Sequence, residues 1–169
     1  MQSFRYTLPQ IAVHWLAAII IVFLLITGTF ILADLPNTAP KIDNLRIHMI
    51  LGAAAGLLVI VRFGLRRIYP VPPIAPGDKL ARIVHVLLNL IILSMAASGM
   101  LLAWQSGALD AVFFGGVLPE DFKSFTPRQL HGLGSRIAMG LIAVHLVAAL
   151  YHHFLVKDGL LSRMGLGAR

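Results

Sequence analysis

Apolar residues in this chain do not alternate with polar ones; they fall into four long runs. Tyr6 to Ala33 holds no charged residue. Ile47 to Val61 holds none either, and extends through Arg46 and Arg62, whose aliphatic stems let the charge reach water. Ile83 to Leu109 is the third run, and about Arg128 to Val156 the fourth, with Arg136 inside it. A bilayer core about 30 Å thick needs roughly 20 helical residues to cross it, and lipid leaves no partner for backbone polar groups outside a helix. The pattern predicts an all-α membrane protein. We expect a four-transmembrane-helix bundle with helices at about residues 9–33, 43–67, 78–105 and 128–156, one domain spanning 1–169. The first run is too long for the apolar core of a signal peptide and lacks a small-residue cleavage site, so it reads as a retained helix.

Punctuation between the runs supports these bounds. Pro9 suits the first turn of helix one. Asp34 to Asp43, with Pro36 and Pro40, reads as a loop, and Asp43 or Asn44 is expected to cap helix two. The proline-rich stretch 69–77 reads as a stiff connector, and Asp78 as the cap of helix three. Residues 110–127, with Gly115, Gly116, Pro119 and Pro127, read as the longest loop, and helix four should fray after Lys157-Asp158-Gly159.

Composition agrees. The chain is 58% hydrophobic and 12% charged, against about a quarter charged in a soluble domain, and mean hydropathy is +0.84. The net charge of +7 would suggest nucleic acid if it were clustered on one surface, but it divides by loop. One side carries Arg5, Arg62, Arg66, Arg67, Lys79, Arg82, Lys157, Arg163 and Arg169. The other carries Lys41, Arg46, Lys123, Arg128 and Arg136, balanced by Asp34, Asp43, Asp110, Glu120 and Asp121. The positive-inside rule puts both termini in the cytoplasm, so the excess is a topology signal and nucleic acid is not an expected partner. The chain has no cysteine, which excludes disulfides, thiolate metal sites, iron–sulfur clusters and covalent haem attachment.

Histidines carry the chemistry. An imidazole within a membrane span is costly and marks a functional site, the alternative being a ring hydrogen-bonded to a neighbouring helix. His131 and His145 are fourteen residues apart on helix four, which returns them to within about 40° of one face and roughly 21 Å apart along the axis. His48, about a turn inside its helix, matches His131 in depth. His14, near the other end of helix one, matches His145 more loosely. The set reads as two bis-histidine haem sites stacked across a membrane, an electron conductor. His85 and His152 compete for the second site on geometry; otherwise they could hydrogen-bond a quinone or carry its protons. His153 points away from His152 and reads as interfacial.

Other polar and small residues are less specific. Arg46 and Arg128 flank the first site and suit haem propionates or the entry of a small anion. Arg136 is a weaker candidate for those roles, since it projects some 140° from His131. Trp15 and Trp104 read as interfacial anchors, and Met49, Met95, Met100 and Met139 as packing. The glycines at 28, 52, 56, 99, 132, 134 and 140 allow close helix packing or room for a flat macrocycle.

These residues resemble the bacterial cytochrome b561 family across essentially the whole chain. The resemblance rests on Arg5-Tyr6 and Ile11-Ala12-Val13-His14-Trp15, on His48, Leu51-Gly52 and Arg62, and on Arg67 with the Tyr69-Pro70 to Pro76 connector. It continues through His131-Gly132, His145 and Ala148 to Phe154, then Lys157-Asp158-Gly159-Leu160-Leu161-Ser162-Arg163-Met164. It implies a bacterial inner-membrane protein with two b haems, one on His48 and His131 and one on His14 and His145. One branch of the family looks like superoxide oxidases, in which superoxide gives an electron at the outer haem and ubiquinone accepts it at the inner one. His152 matches a quinone-site position there, with His85 in the same layer.

Three functions follow as expectations. The first is a superoxide:ubiquinone oxidoreductase, with Lys41, Arg46, Arg128 and Arg136 available to attract the anion. The second is a quinone-linked electron-transfer subunit for a partner dehydrogenase. The third is a histidine-lined metal or proton transporter, disfavoured because the spans hold no acidic residue.

Overall fold

The computed structural model describes residues 4–71 and 79–166. Four helices reach membrane-crossing length and apolarity: Leu8–Leu32, Ala39–Ile68, Lys79–Gln105 and Thr126–Val156. We label the elements α1 (Leu8–Thr27, continued by a π turn, Gly28–Leu32), α2 (Ala39–Ile68), α3 (Lys79–Gln105), α4 (Ala108–Phe113), α5 (Thr126–Tyr151, continued by a π turn, His152–Val156) and α6 (Leu160–Arg163). No strand occurs among the described residues. The expected four-helix membrane bundle is what forms. The greater part of the connector, 72–77, and the Asp78 cap lie outside the described residues.

Helix contacts are most extensive between α3 and α5, then α1 and α2, then α2 and α3. The packing is that of a protein solvated by lipid. Large apolar side chains such as Phe30, Leu57 and Val147 face outward, whereas Ala17, Ala55, Ala103 and Ala138 are buried. Lipid tails are as apolar as leucine, so helices associate by close van der Waals approach, which small residues permit. A Cβ on Gly56 would lie 2.8 Å from that of Ala96, and one on Gly134 would lie 2.6 Å from Met95 Sδ. Those two glycines are packing positions.

The helix ends correct several expectations. Helix α2 starts at Ala39, ahead of Asp43 and Asn44, with Thr38 extended at the cap position and proline in the first turn. Proline fits that turn because its missing N–H would have no intrahelical partner there. Asp43 instead pairs with Arg46 at 3.1 Å, and Asn44 Nδ2 donates to the Pro40 carbonyl at 2.9 Å. The stretch 110–127 is not all loop, because α4 forms at its start. Gly107 takes φ 71°, reversing the chain after α3, and Ala108, Ala111 and Val112 bury against the bundle. Helix α5 begins at Thr126 and Pro127 lies buried in its first turn rather than in the loop.

Three ties hold the opposite end of the bundle, where the described segments nearest the two termini meet. Trp15 Nε1 donates to the Met164 carbonyl at 2.9 Å, so this side chain anchors the chain's own C-terminal turn. The Tyr6 N–H donates to the Arg163 carbonyl at 3.2 Å. Gln10 is buried; its Oε1 accepts from the Thr7 N–H at 3.0 Å and its Nε2 donates to the Pro70 carbonyl at 3.3 Å. The bundle thus has an α4 end and a terminal end.

Candidate functional site

Neutral imidazole keeps a ring nitrogen free to bind a metal, and a helix can present it inward at a chosen depth. At the α4 end, His48 of α2 and His131 of α5 face each other with ring centroids 6.1 Å apart and planes at 69°. At the terminal end, His14 of α1 and His145 of α5 stand 6.4 Å apart with planes at 78°. The His85 ring, from α3, lies 5.1 Å from that of His145. Imidazole nitrogen binds a first-row metal at about 2 Å, and roughly 1 Å separates that nitrogen from its ring centre, so two rings sharing an ion stand about 6 Å apart. Both cross-helix pairs have that separation. The closer His85–His145 pair is in direct ring contact.

The surroundings of the first pair are shaped around the rings. A Cβ on Gly28 would lie 3.2 Å from His48 Cε1, and one on Gly99 would lie 3.1 Å from His131 Cε1. Gly28 opens the π turn of α1, a helix irregularity that recurs at functional sites. Among the described residues His48 Nδ1 is buried without a hydrogen-bond partner, at a cost of about 1–3 kcal/mol. Among the described residues no three or more histidine, aspartate or glutamate side chains converge as they would around a bare ion. A bare ion such as zinc takes three or four protein ligands, whereas haem iron asks the protein only for axial ones. Paired imidazoles at that separation and glycine walls fit haem.

The charged candidates part company. Arg46 Nε and Nη2 donate to the Val112 carbonyl at 3.2 and 2.9 Å, so its guanidinium holds α4 in place. Arg128 is half-buried and lies over Gly132, with Nη1 2.9 Å from where a Cβ would stand there, one residue from His131. Arg136 is exposed on the outside of α5 with no side-chain hydrogen bond among the described residues. Lys41 is buried, donating to the Leu35 carbonyl at 2.6 Å with Nζ 5.7 Å from the centre of the Phe122 ring.

At the terminal end His152 Nδ1 lies 2.6 Å from Asp158 Oδ2, and the other Asp158 oxygen accepts from the Leu160 N–H at 3.0 Å. Burial pushes the Asp158 carboxyl up, but those two hydrogen bonds and the charges of His152 and Arg163 outweigh it and hold it below the usual carboxylate value. His152 also packs on Tyr151, while His153 is exposed beside Phe154.

Two residues enter that sequence reasoning had not placed here. Ser98 Oγ lies 3.1 Å from His131 Nδ1. Arg62, read as a snorkelling span end, is half-buried, and its charge acts on His14, His85 and His145 alike. A hydroxyl inside an apolar run was the available signal for Ser98. For Arg62 the signal was its place one helix away from three histidines of similar depth.

Comparison with known proteins gives the chain a family. Residues 5–167 match the family described as prokaryotic cytochrome b561. The chain is 33% identical over 165 residues to cytochrome b562 of Cereibacter sphaeroides, with 94% of each chain covered. It is 28% identical over 173 residues to the probable superoxide oxidase CybB of Yersinia pestis, covering 95% of each. It is 27% identical over 175 residues to cytochrome b561 homolog 1 of Escherichia coli, covering 95% of this chain and 96% of that one. The match runs through all four spans and both histidine clusters, and the chain belongs to the prokaryotic cytochrome b561 family of haem b-carrying, multi-pass membrane electron-transfer proteins.

Proposed function

We propose that this chain is a superoxide:ubiquinone oxidoreductase of the bacterial inner membrane, with its α4 end outside and both termini in the cytoplasm. His48 and His131 hold one b haem, and His14 and His145 hold a second. The observation that carries this reading is the pair of cross-helix imidazole couples, 6.1 and 6.4 Å apart, at opposite ends of α5. Bound there, haem iron supplies reversible one-electron transfer. The relative named as a probable superoxide oxidase, aligned over 95% of both chains, supports the choice of donor.

The chain's own groups divide the remaining work. Each superoxide yields one electron and leaves as dioxygen; a quinone takes two electrons and two protons, so two superoxides reduce one quinone to quinol. Arg128, half-buried beside His131, is the cation best placed to draw the anion inward. Arg46 is committed to α4, and Arg136 faces outward, so neither takes that role. At the other end Arg62 is available to a haem propionate. His85 and His152 donate hydrogen bonds to quinone oxygens, and Asp158 holds the His152 ring so that a proton can pass through it.

Stopped-flow mixing of the purified haem-loaded protein with superoxide tests this. Rapid appearance of the reduced b-haem spectrum, followed by reoxidation on adding ubiquinone, is the expected result. A protein that superoxide leaves oxidised is not a superoxide oxidase. The quinone-linked subunit of a partner dehydrogenase then becomes the better reading, in keeping with the 33% identical relative whose name gives a cytochrome and no substrate.

A further inference from the structure

We propose that Ser98 is a positioning residue for His131, fixing which ring nitrogen carries the proton and thereby lowering the reduction potential of one haem but not the other. This rests on His131 being an iron ligand, as argued above.

Ser98 and Gly99 are consecutive on α3, and together they border the His131 ring. The Ser98 hydroxyl donates to the Met95 carbonyl of its own helix at 3.1 Å, and its oxygen lies 3.1 Å from His131 Nδ1. A serine hydroxyl has one hydrogen and two lone pairs, and a carbonyl can only accept. With iron on Nε2 the ring proton sits on Nδ1, beside both the Met95 carbonyl and Ser98 Oγ, and Ser98, its own hydrogen given to Met95, accepts it. The reverse arrangement would place the proton on Nε2 and abolish ligation. Gly99 completes the restraint. A Cβ there would stand 3.1 Å from His131 Cε1 and 3.4 Å from Nδ1, so the α3 backbone itself lies against the ring edge.

His48, the partner ring, lacks this device. Gly28 lies against it in the same manner, but its Nδ1 has no partner among the described residues. No side-chain hydrogen bond to His14 or His145 occurs among the described residues either. The ligand set is therefore asymmetric, with Ser98 acting on one haem alone. A hydrogen bond accepted from Nδ1–H makes the imidazole a stronger electron donor, which favours oxidised iron and lowers the potential.

Spectroelectrochemical titration of the purified two-haem protein reads this directly. With Ser98→Ala, one of the two waves should shift to higher potential while the other stays, and one low-spin haem signal in the electron paramagnetic resonance spectrum should move with it. Ser98→Thr keeps the hydroxyl and should titrate as the parent protein does. Should Ser98→Ala fail to assemble, Ser98→Cys preserves the volume with a far weaker acceptor and should give the same one-wave shift. Two unmoved waves in the Ala or Cys variant, or a Thr variant displaced as far as either, would overturn the assignment. His131→Ala separates the two levels of argument. If it retains both haems, the ligand reading fails and takes this inference with it. If it loses one haem while Ser98→Ala leaves the potentials unmoved, the ligand reading stands and Ser98 has no such role.

Discussion

The two histidine clusters solve different problems with the same ring. At the α4 end there are two imidazoles, each bordered by a glycine, one of them held by a serine. The nearby cations are already engaged, Lys41 with a backbone carbonyl and Arg46 with a backbone carbonyl and the Asp43 carboxylate. At the terminal end there are three imidazoles, a half-buried guanidinium acting on all of them, and a histidine–carboxylate pair just beyond. No described glycine lies against those three rings. The first site is walled and short of mobile protons, which suits a step that moves an electron only. The second is rich in groups that take up or release protons, which suits a substrate that must gain protons along with electrons. Reorganisation is small where groups are already fixed, and proton transfer needs groups free to change state.

The largest effect that could break this contrast is loss of cofactor. His48→Ala or His131→Ala should each remove the same haem, and His14→Ala or His145→Ala the other, lowering haem per chain by about half in each case. His85→Ala should keep both, since its 5.1 Å approach to His145 leaves no room for an ion between the rings. Haem content per purified chain is the measurement. Loss of a haem from the His85 variant with retention in the His14 variant would exchange their roles and put the second site between α3 and α5.

How much of this was legible beforehand depended on whether the signal lay along one helix or between two. The four spans declare themselves through uninterrupted apolar length, and the histidines through the cost of placing an imidazole in lipid. Both are properties of a single segment. Helix α4 is six residues long, too short to show a period, and it sat within a stretch whose glycines and prolines spoke for a loop. The start of α2 was misjudged because Asp43 and Asn44 are better caps than Thr38. What overrode them was proline in the first turn, which a cap-centred reading discounts. Ser98 is 33 residues from its partner, and serines are common inside membrane helices, so nothing local distinguished it from Ser94. Arg62 read as a span terminus because snorkelling explains any arginine near a helix end. Its approach to three rings from three helices exists only once the bundle has closed.

A smaller effect sharpens the same comparison through the glycines. At Gly99 and Gly28 an added methyl would meet an imidazole edge at 3.1 and 3.2 Å, whereas at the exposed Gly64 and Gly140 it would meet nothing within 4 Å among the described residues. Overpacking a filled site costs about 1–3 kcal/mol, while alanine in an unobstructed helix position gains roughly 0.5–1 kcal/mol over glycine. Gly99→Ala and Gly28→Ala should therefore lower the thermal midpoint of the haem-loaded protein and disturb one haem spectrum. Gly64→Ala and Gly140→Ala should hold or raise the midpoint with both spectra intact. Equal behaviour of the two sets would mean that the α4-end rings are not walled in as described.

The smallest expected effect concerns the approach of superoxide. The α4 end carries five basic and five acidic residues, so its net field does little, and any attraction must come from one well-placed charge. Arg128 and Arg136 lie on the same helix, the first half-buried beside His131 and the second exposed on the outside. Local steering falls off within a Debye length of about 8–10 Å. Arg128→Gln should slow the second-order reduction of haem by superoxide up to about tenfold, the low end of electrostatic steering, and flatten its dependence on salt. Arg136→Gln should change neither. If Arg136 proved the more sensitive position, the entry path would run along the outer face of α5, and the enclosed character of the α4-end site would have to be given up.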